Sequence, residues 1–214
     1  LRGNLVIIKS MARIVEIKKA ERGPRIIFYV SGHGFGHATR ACALIESLYR
    51  HIPGIKVEVR SPAPSWLFTD PFPELVFSRA EIDVGMVQVN GLDIDLKKTI
   101  MAHELFLADW ERLAQAEALH IRGSQTCLVL GDIPPIAFEA AARAEVPSFA
   151  VGNFSWDWVL STYTEAQPRL APVALQYARA YGRSRELFQL PLSAPFSAFP
   201  KVTPVPLLVR RSRL

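Results

Sequence analysis

Residues 25–40, RIIFYVSGHGFGHATR, demand a strand, a glycine-rich turn and a helix in immediate succession. Ile26, Ile27, Phe28, Tyr29 and Val30 form an uninterrupted apolar run. A half-exposed strand would alternate, so this run fits a parallel strand covered on both faces. Gly32, Gly34 and Gly36 then let the backbone turn sharply and admit a ligand close to main-chain N–H groups. The helix expected over about residues 38–50 aims its unpaired N–H groups and the positive end of its dipole at the same point. Such a place suits a phosphate, a diphosphate or a developing oxyanion.

The turn matches neither common nucleotide loop. Gly32, Gly34 and Gly36 alternate, so the spacing of a dinucleotide fingerprint fails at Thr39, and no Gly-Lys-Ser/Thr follows to make a P-loop. It offers two imidazoles instead, His33 and His37. Their four-residue spacing suits a metal only on a formed helix, and no Cys or acidic residue stands beside them in the sequence, so no metal site is expected. A histidine here can simply cap the helix or bond backbone. Two in one glycine turn, at the end of a strand where open α/β sheets place ligands, mark at least one as functional. His37, at the helix start, is expected to be partly exposed.

With 214 residues, half of them hydrophobic, the chain can bury the core of one domain, and two would be cramped. It contains no apolar run of membrane-spanning length. The segment before the first strand carries Arg13, Glu16, Lys18, Lys19, Glu21 and Arg22, too charged for a signal peptide, so residues 1–24 read as a charged extension and the protein as cytoplasmic. Cys42 and Cys127 are too few for a disulfide framework or a zinc site and fall in apolar elements. The net charge of +5 comes from dispersed residues; the one tight group, Arg210, Arg211 and Arg213, lies at the very end. Without a recognition helix, RNA-binding sheet or zinc-finger signature, no nucleic-acid partner is expected.

Periodicity continues the alternation of strand and helix. KVEVR at 56–60 and residues 74–77 read as strands, and a loop containing Gly85, Asn90 and Gly91 follows. Residues 96–121 form one long or broken amphipathic helix, 126–130 a buried strand, 135–144 a helix opened by proline, and 147–151 a further strand. This order implies an α/β fold with a Rossmann-like, doubly wound parallel sheet. Five prolines between 191 and 206 read as an extended passage toward the domain edge.

The strand ends carry further polar candidates. Asp132 follows the strand TCLVL, where it can cap the next helix or orient an imidazole. Asn153, Ser155 and Asp157 follow SFAVG, interleaved with Phe154, Trp156 and Trp158. These aromatics can stack on sugar rings or plug the core beneath the loop. His103, Glu104, Asp109 and Glu111 lack the second His of a zinc-protease helix and read as a solvated helix face, while the helix dipole suffices to explain His51 and His120 near helix ends.

YVSGHGFGHATR, with GDIPPIAFEAA at 131–141 and VGNFSWDW at 151–158, resembles the N-terminal half of a GT-B glycosyltransferase-like family. Members include the N-terminal domain of L-arabinokinase and, more distantly, the peptidoglycan N-acetylglucosaminyltransferase. The resemblance covers about residues 25–210. It implies a Rossmann-like acceptor-side domain over 25–190, with 191–214 leading to a missing C-terminal domain that binds the nucleotide sugar. The implied partners are a nucleotide-sugar donor and a sugar or lipid-linked acceptor, with no cofactor, and this stretch alone is expected to be inactive. By position His37 matches the family's functional histidine, as base or acceptor contact, with His33 assisting and Asp132 orienting an imidazole. Gly32, Gly34, Phe35, Gly36 and Arg40 are implied to hold anionic oxygens or substrate, and Asn153, Ser155, Trp156 and Asp157 to contact the sugar. The same resemblance leaves open a non-catalytic sugar- or nucleotide-sugar-binding module, as in a sugar-kinase fusion.

Overall fold

The computed structural model describes residues 2–17, 23–90 and 93–209. Gly91, residues 18–22 and the terminal arginines therefore lie outside the described residues. Seven strands, β1 (Arg25–Val30), β2 (Lys56–Ser61), β3 (Val76–Arg79), β4 (Leu128–Asp132), β5 (Ser148–Gly152), β6 (Glu186–Gln189) and β7 (Val202–Pro204), form one sheet. Its order is β3-β2-β1-β4-β5-β6-β7, with every pairing parallel. The chain winds outward from β1 to β3, returns to the centre at β4 and winds outward again. The strand order thus reverses between β1 and β4, and in open sheets ligands bind in the crevice at such a point, beyond the carboxyl ends of the strands.

Eight α-helices are described: α1 (Arg2–Ile17), α2 (Phe35–His51), α3 (Trp66–Thr69), α4 (Leu96–Ala108), α5 (Trp110–Gly123), α6 (Pro135–Arg143), α7 (Trp156–Ser161) and α8 (Ala171–Tyr181). They cover both sheet faces, which is why Ile26 to Val30 are fully buried. One core joins α1 and α2 to one face through Ile7, Met11, Leu44 and Leu48 against Phe28 and Val59. The other joins α5, α6 and α8 to the opposite face through Ile121, Phe138 and Tyr177 against Ile27, Tyr29 and Val129.

Most expected elements form with small shifts. The third strand starts two residues later than expected, and the long helix breaks at Asp109, which ends α4 and precedes α5. Residues 2–17 form a helix whose Ile7, Ile8 and Met11 enter the core. The proline-rich stretch contributes edge strand β7, and Phe196, Phe199 and Val205 are buried. Cys42 and Cys127 are both buried.

Candidate functional site

At the switch point, Val30 of β1 lies in register with Asp132 of β4, and the Ser31 N–H donates to the Asp132 carbonyl at 3.0 Å. The strand end and the glycine turn are thereby tied together. Of the three glycines only Gly34 needs its identity for conformation: at φ 85° and ψ 155° it precedes α2 in a region closed to other residues. Gly32 serves close approach, since a Cβ there would stand 2.5 Å from the Pro62 ring, whereas Gly36 in the first turn of α2 has open space around it.

Asp132 is the last residue of β4, not a helix cap; Pro134 caps α6, so the capping role is corrected. Its fully buried carboxylate meets two partners from α2. His37 Nδ1 lies 2.8 Å from Oδ1, and Arg40 donates from Nε to Oδ2 at 2.7 Å and from Nη2 to Oδ1 at 2.5 Å. Arg40 Nη1 also reaches Asn153 Oδ1 at 3.4 Å. Burial pushes the Asp132 carboxyl up, but the charges of Arg40 and His37 and their hydrogen bonds outweigh it and hold the group below its ordinary value. His37 Nδ1 also lies 3.0 Å from Arg40 Nη2; in the tautomer that donates its Nδ1 proton to this carboxylate, the ring's lone pair is on Nε2.

Two expectations change here. His37 is buried, at 6% exposure, with Phe154 against its ring. Arg40 is engaged by Asp132 instead of standing ready for an anion, because the fully buried carboxylate requires a counter-charge.

His33 projects to the other side of the turn with 35% of its side chain exposed. Its Nε2 lies 3.8 Å from Oδ1 of Asp83, a residue on the loop leaving β3, and its ring meets the edge of Trp156. Gly85, at φ 65°, makes room: any Cβ there would come within 2.5 Å of the His33 ring. The Gly85 carbonyl accepts from His103 Nε2 at 2.9 Å, so His103 carries its proton on Nε2 and accepts from the Tyr177 hydroxyl at Nδ1. His103 is fully buried, which corrects the reading of a solvated face at that position; burial lowers its imidazole to about 4, against the Gly85 bond. Glu104, Asp109 and Glu111 pair with Arg169, Arg112 and Arg143. His120, assigned only to a helix end, lies 2.8 Å from buried Glu58.

Trp156 is buried, its Nε1 donating to Asp83 Oδ2 at 3.2 Å, so its ring is not an exposed stacking face. Half-exposed Trp158 and Phe154 line an adjoining cleft of about 580 Å³ with Asn153 and Leu192. Ser155 is buried at the start of α7. Asp157 follows in the first turn of α7, where burial raises its carboxyl against the Ser155 hydroxyl and nearby backbone N–H groups. Phe35 leans outward, 62% exposed, against Trp66. Thus His37, Asp132, Arg40 and Asn153 come together, with His33 and Trp156 alongside, while Phe35 leans toward Trp66. Asp83 escaped the sequence reading, and Gly85 was read only as a loop residue, although both follow a strand end. Among the described residues no group of three or more His, Cys, Asp or Glu could hold a metal, and no helix is long and apolar enough to cross a membrane.

Comparison with protein-family models finds no match. The chain is 33% identical over 188 residues to L-arabinokinase of Arabidopsis thaliana, covering 86% of this chain and 18% of that protein. In structure it is similar to UGT2 of Phytolacca americana, solved with UDP-2fluoro-glucose and pterostilbene, at a TM-score of 0.54 and 13% identity, over 89% of this chain and 55% of that one. A UDP-glucosyltransferase of Polygonum tinctorium aligns at a TM-score of 0.50 and 14% identity, over 89% and 54%. The chain therefore spans about a fifth of the matched kinase and about half of these transferases.

Proposed function

The chain has the fold of a GT-B glycosyltransferase domain, and we propose that it is the acceptor-side half of such an enzyme, in which a sugar passes from a nucleotide donor to an acceptor hydroxyl. One observation carries this reading: an imidazole backed by a buried carboxylate, His37 with Asp132, stands at the switch point beside the opening turn of α2. Transfer to a hydroxyl needs a group to take its proton and dipoles to stabilise the departing diphosphate. His37 suits the first task, or direct contact with the acceptor, with His33 assisting. The first N–H groups of α2, kept open at Gly36, suit the second. Arg40 acts by holding Asp132, and Asn153, Trp158 and Phe154 border the ligand.

The second domain needed to bind the nucleotide sugar is part of the proposal; residues 25–190 form the body of the acceptor half and 191–214 lead onward. A second reading, sugar or nucleotide-sugar binding without transfer, is favoured by the similarity to L-arabinokinase and by Arg40, whose charge already balances Asp132. The two readings separate when the full-length protein is incubated with UDP-sugars and candidate acceptors. Release of UDP coupled to a glycosylated product supports transfer, and saturable binding without product supports the module.

A further inference from the structure

Asp83 keeps a carboxylate inside the protein with one oxygen unserved. Its side chain is 1% exposed, Oδ2 accepts from Trp156 Nε1, and Oδ1 accepts no hydrogen bond. An unpaired buried acceptor is destabilising, more so when charged, so a native fold rarely keeps one without a use. His33 Nε2 is 3.8 Å away, too far to donate directly. That separation is built in, because Gly85 and Trp156 both hold the His33 ring.

The separation matches one bridging hydroxyl, which reaches the solvent-closed Oδ1 when the partly exposed His33 ring shifts slightly. An O–H group can donate to Oδ1 while accepting from Nε2–H, each at an ordinary distance of about 2.7–3.0 Å. Both residues line a cleft of about 420 Å³ whose remaining wall includes Pro62, Val84 and Phe106. An apolar wall facing a few convergent polar groups suits the C–H face of a sugar ring. Glu81, also on the cleft, adds a second carboxylate, so a phosphate would be repelled there.

We propose that this cleft binds a neutral sugar, with a ring hydroxyl bridging Asp83 and His33. The inference rests on the transfer reading above and deepens it: the acceptor is a sugar hydroxyl, not a phosphate-bearing headgroup.

The test is saturation-transfer-difference NMR on the 214-residue chain with D-glucose, D-galactose, D-xylose and L-arabinose, and UDP as the anionic competitor. At least one sugar is expected to bind, and UDP not to displace it. Asp83→Asn, which retains an acceptor for Trp156 Nε1, is expected to weaken binding about tenfold or more, the loss of a charge-assisted hydrogen bond. His33→Ala alters a ring outside the hydrophobic core and is expected to weaken it as well, so it decides the matter should Asp83→Asn fail to fold. The inference is overturned if none of the four sugars binds, if the folded variants bind as the parent does, or if UDP competes. Binding is read without turnover, so such a result removes this inference and leaves the transfer proposal to its own assay.

Discussion

His103 links a protonation state to the geometry of the site. It lies fully buried between the Tyr177 hydroxyl and the Gly85 carbonyl, and its imidazole is lowered to about 4 from an ordinary 6.5. As pH falls through that interval the unfolded chain takes up the proton first, so stability is whole above about pH 6.5 and is lost toward pH 4. At about 1.4 kcal/mol per pH unit the interval is worth roughly 3 kcal/mol. Urea unfolding at pH 7 and pH 5 is expected to show about 2 kcal/mol of this loss in the parent chain and much less in His103→Gln, whose amide can serve both partners without titrating. Equal pH dependence in both would contradict it. Histidines in a glycine turn were legible from sequence, because the turn itself marks a ligand-facing strand end. The burial of His103 was not legible, because its partners come from a loop and from a helix 74 residues away.

The elements that sequence periodicity identified best are those buried on both faces, β1, β4 and β5, whose apolar runs leave little choice. Apart from the eleven-residue helix α8, those it missed are short or mixed. β6 spans four residues and carries Glu186, whose buried charge is matched by Lys201, while β7 spans three and ends in Pro204. Helix α1 hid within a stretch read by its charge, although Ile7 and Met11 are fully buried while Leu5 and Val6 are half-exposed on the same helix. Ile7→Ala is accordingly expected to destabilise the chain by about 2–4 kcal/mol and Leu5→Ala by well under 1 kcal/mol, as measured by chemical denaturation. Small and equal effects would make α1 an appendage with no part in the core. The candidate site was about half legible for the same reason: Asp132 and Asn153 follow strands that periodicity found, whereas Asp83 follows β3, which begins later than the apolar pattern suggests.

For the molecule as a whole, alternation of strand and helix was enough to imply a doubly wound sheet. The position of the reversal needed the pairing of β1 with β4. That pairing puts the glycine turn, Asp132 and the aromatic loop after β5 at one edge, and the transfer reading proposed above places a second, donor-binding domain against it. The 214-residue chain alone is therefore expected to fold cooperatively and to release no UDP from UDP-sugars; measurable turnover by it would contradict a two-sided site. The most direct test is the transfer rate of the full-length protein with His37→Ala, beside His33→Ala, across a set of UDP-sugars. Asp132 keeps Arg40 as its counter-charge in the first variant, so melting is expected to shift by no more than about 1–2 kcal/mol of stability, while loss of a positioned base lowers the rate by about 10²- to 10⁴-fold. A His37→Ala protein that melts normally and keeps near-parental turnover would remove His37 from the mechanism, and an equivalent loss in His33→Ala alone would move the role to His33.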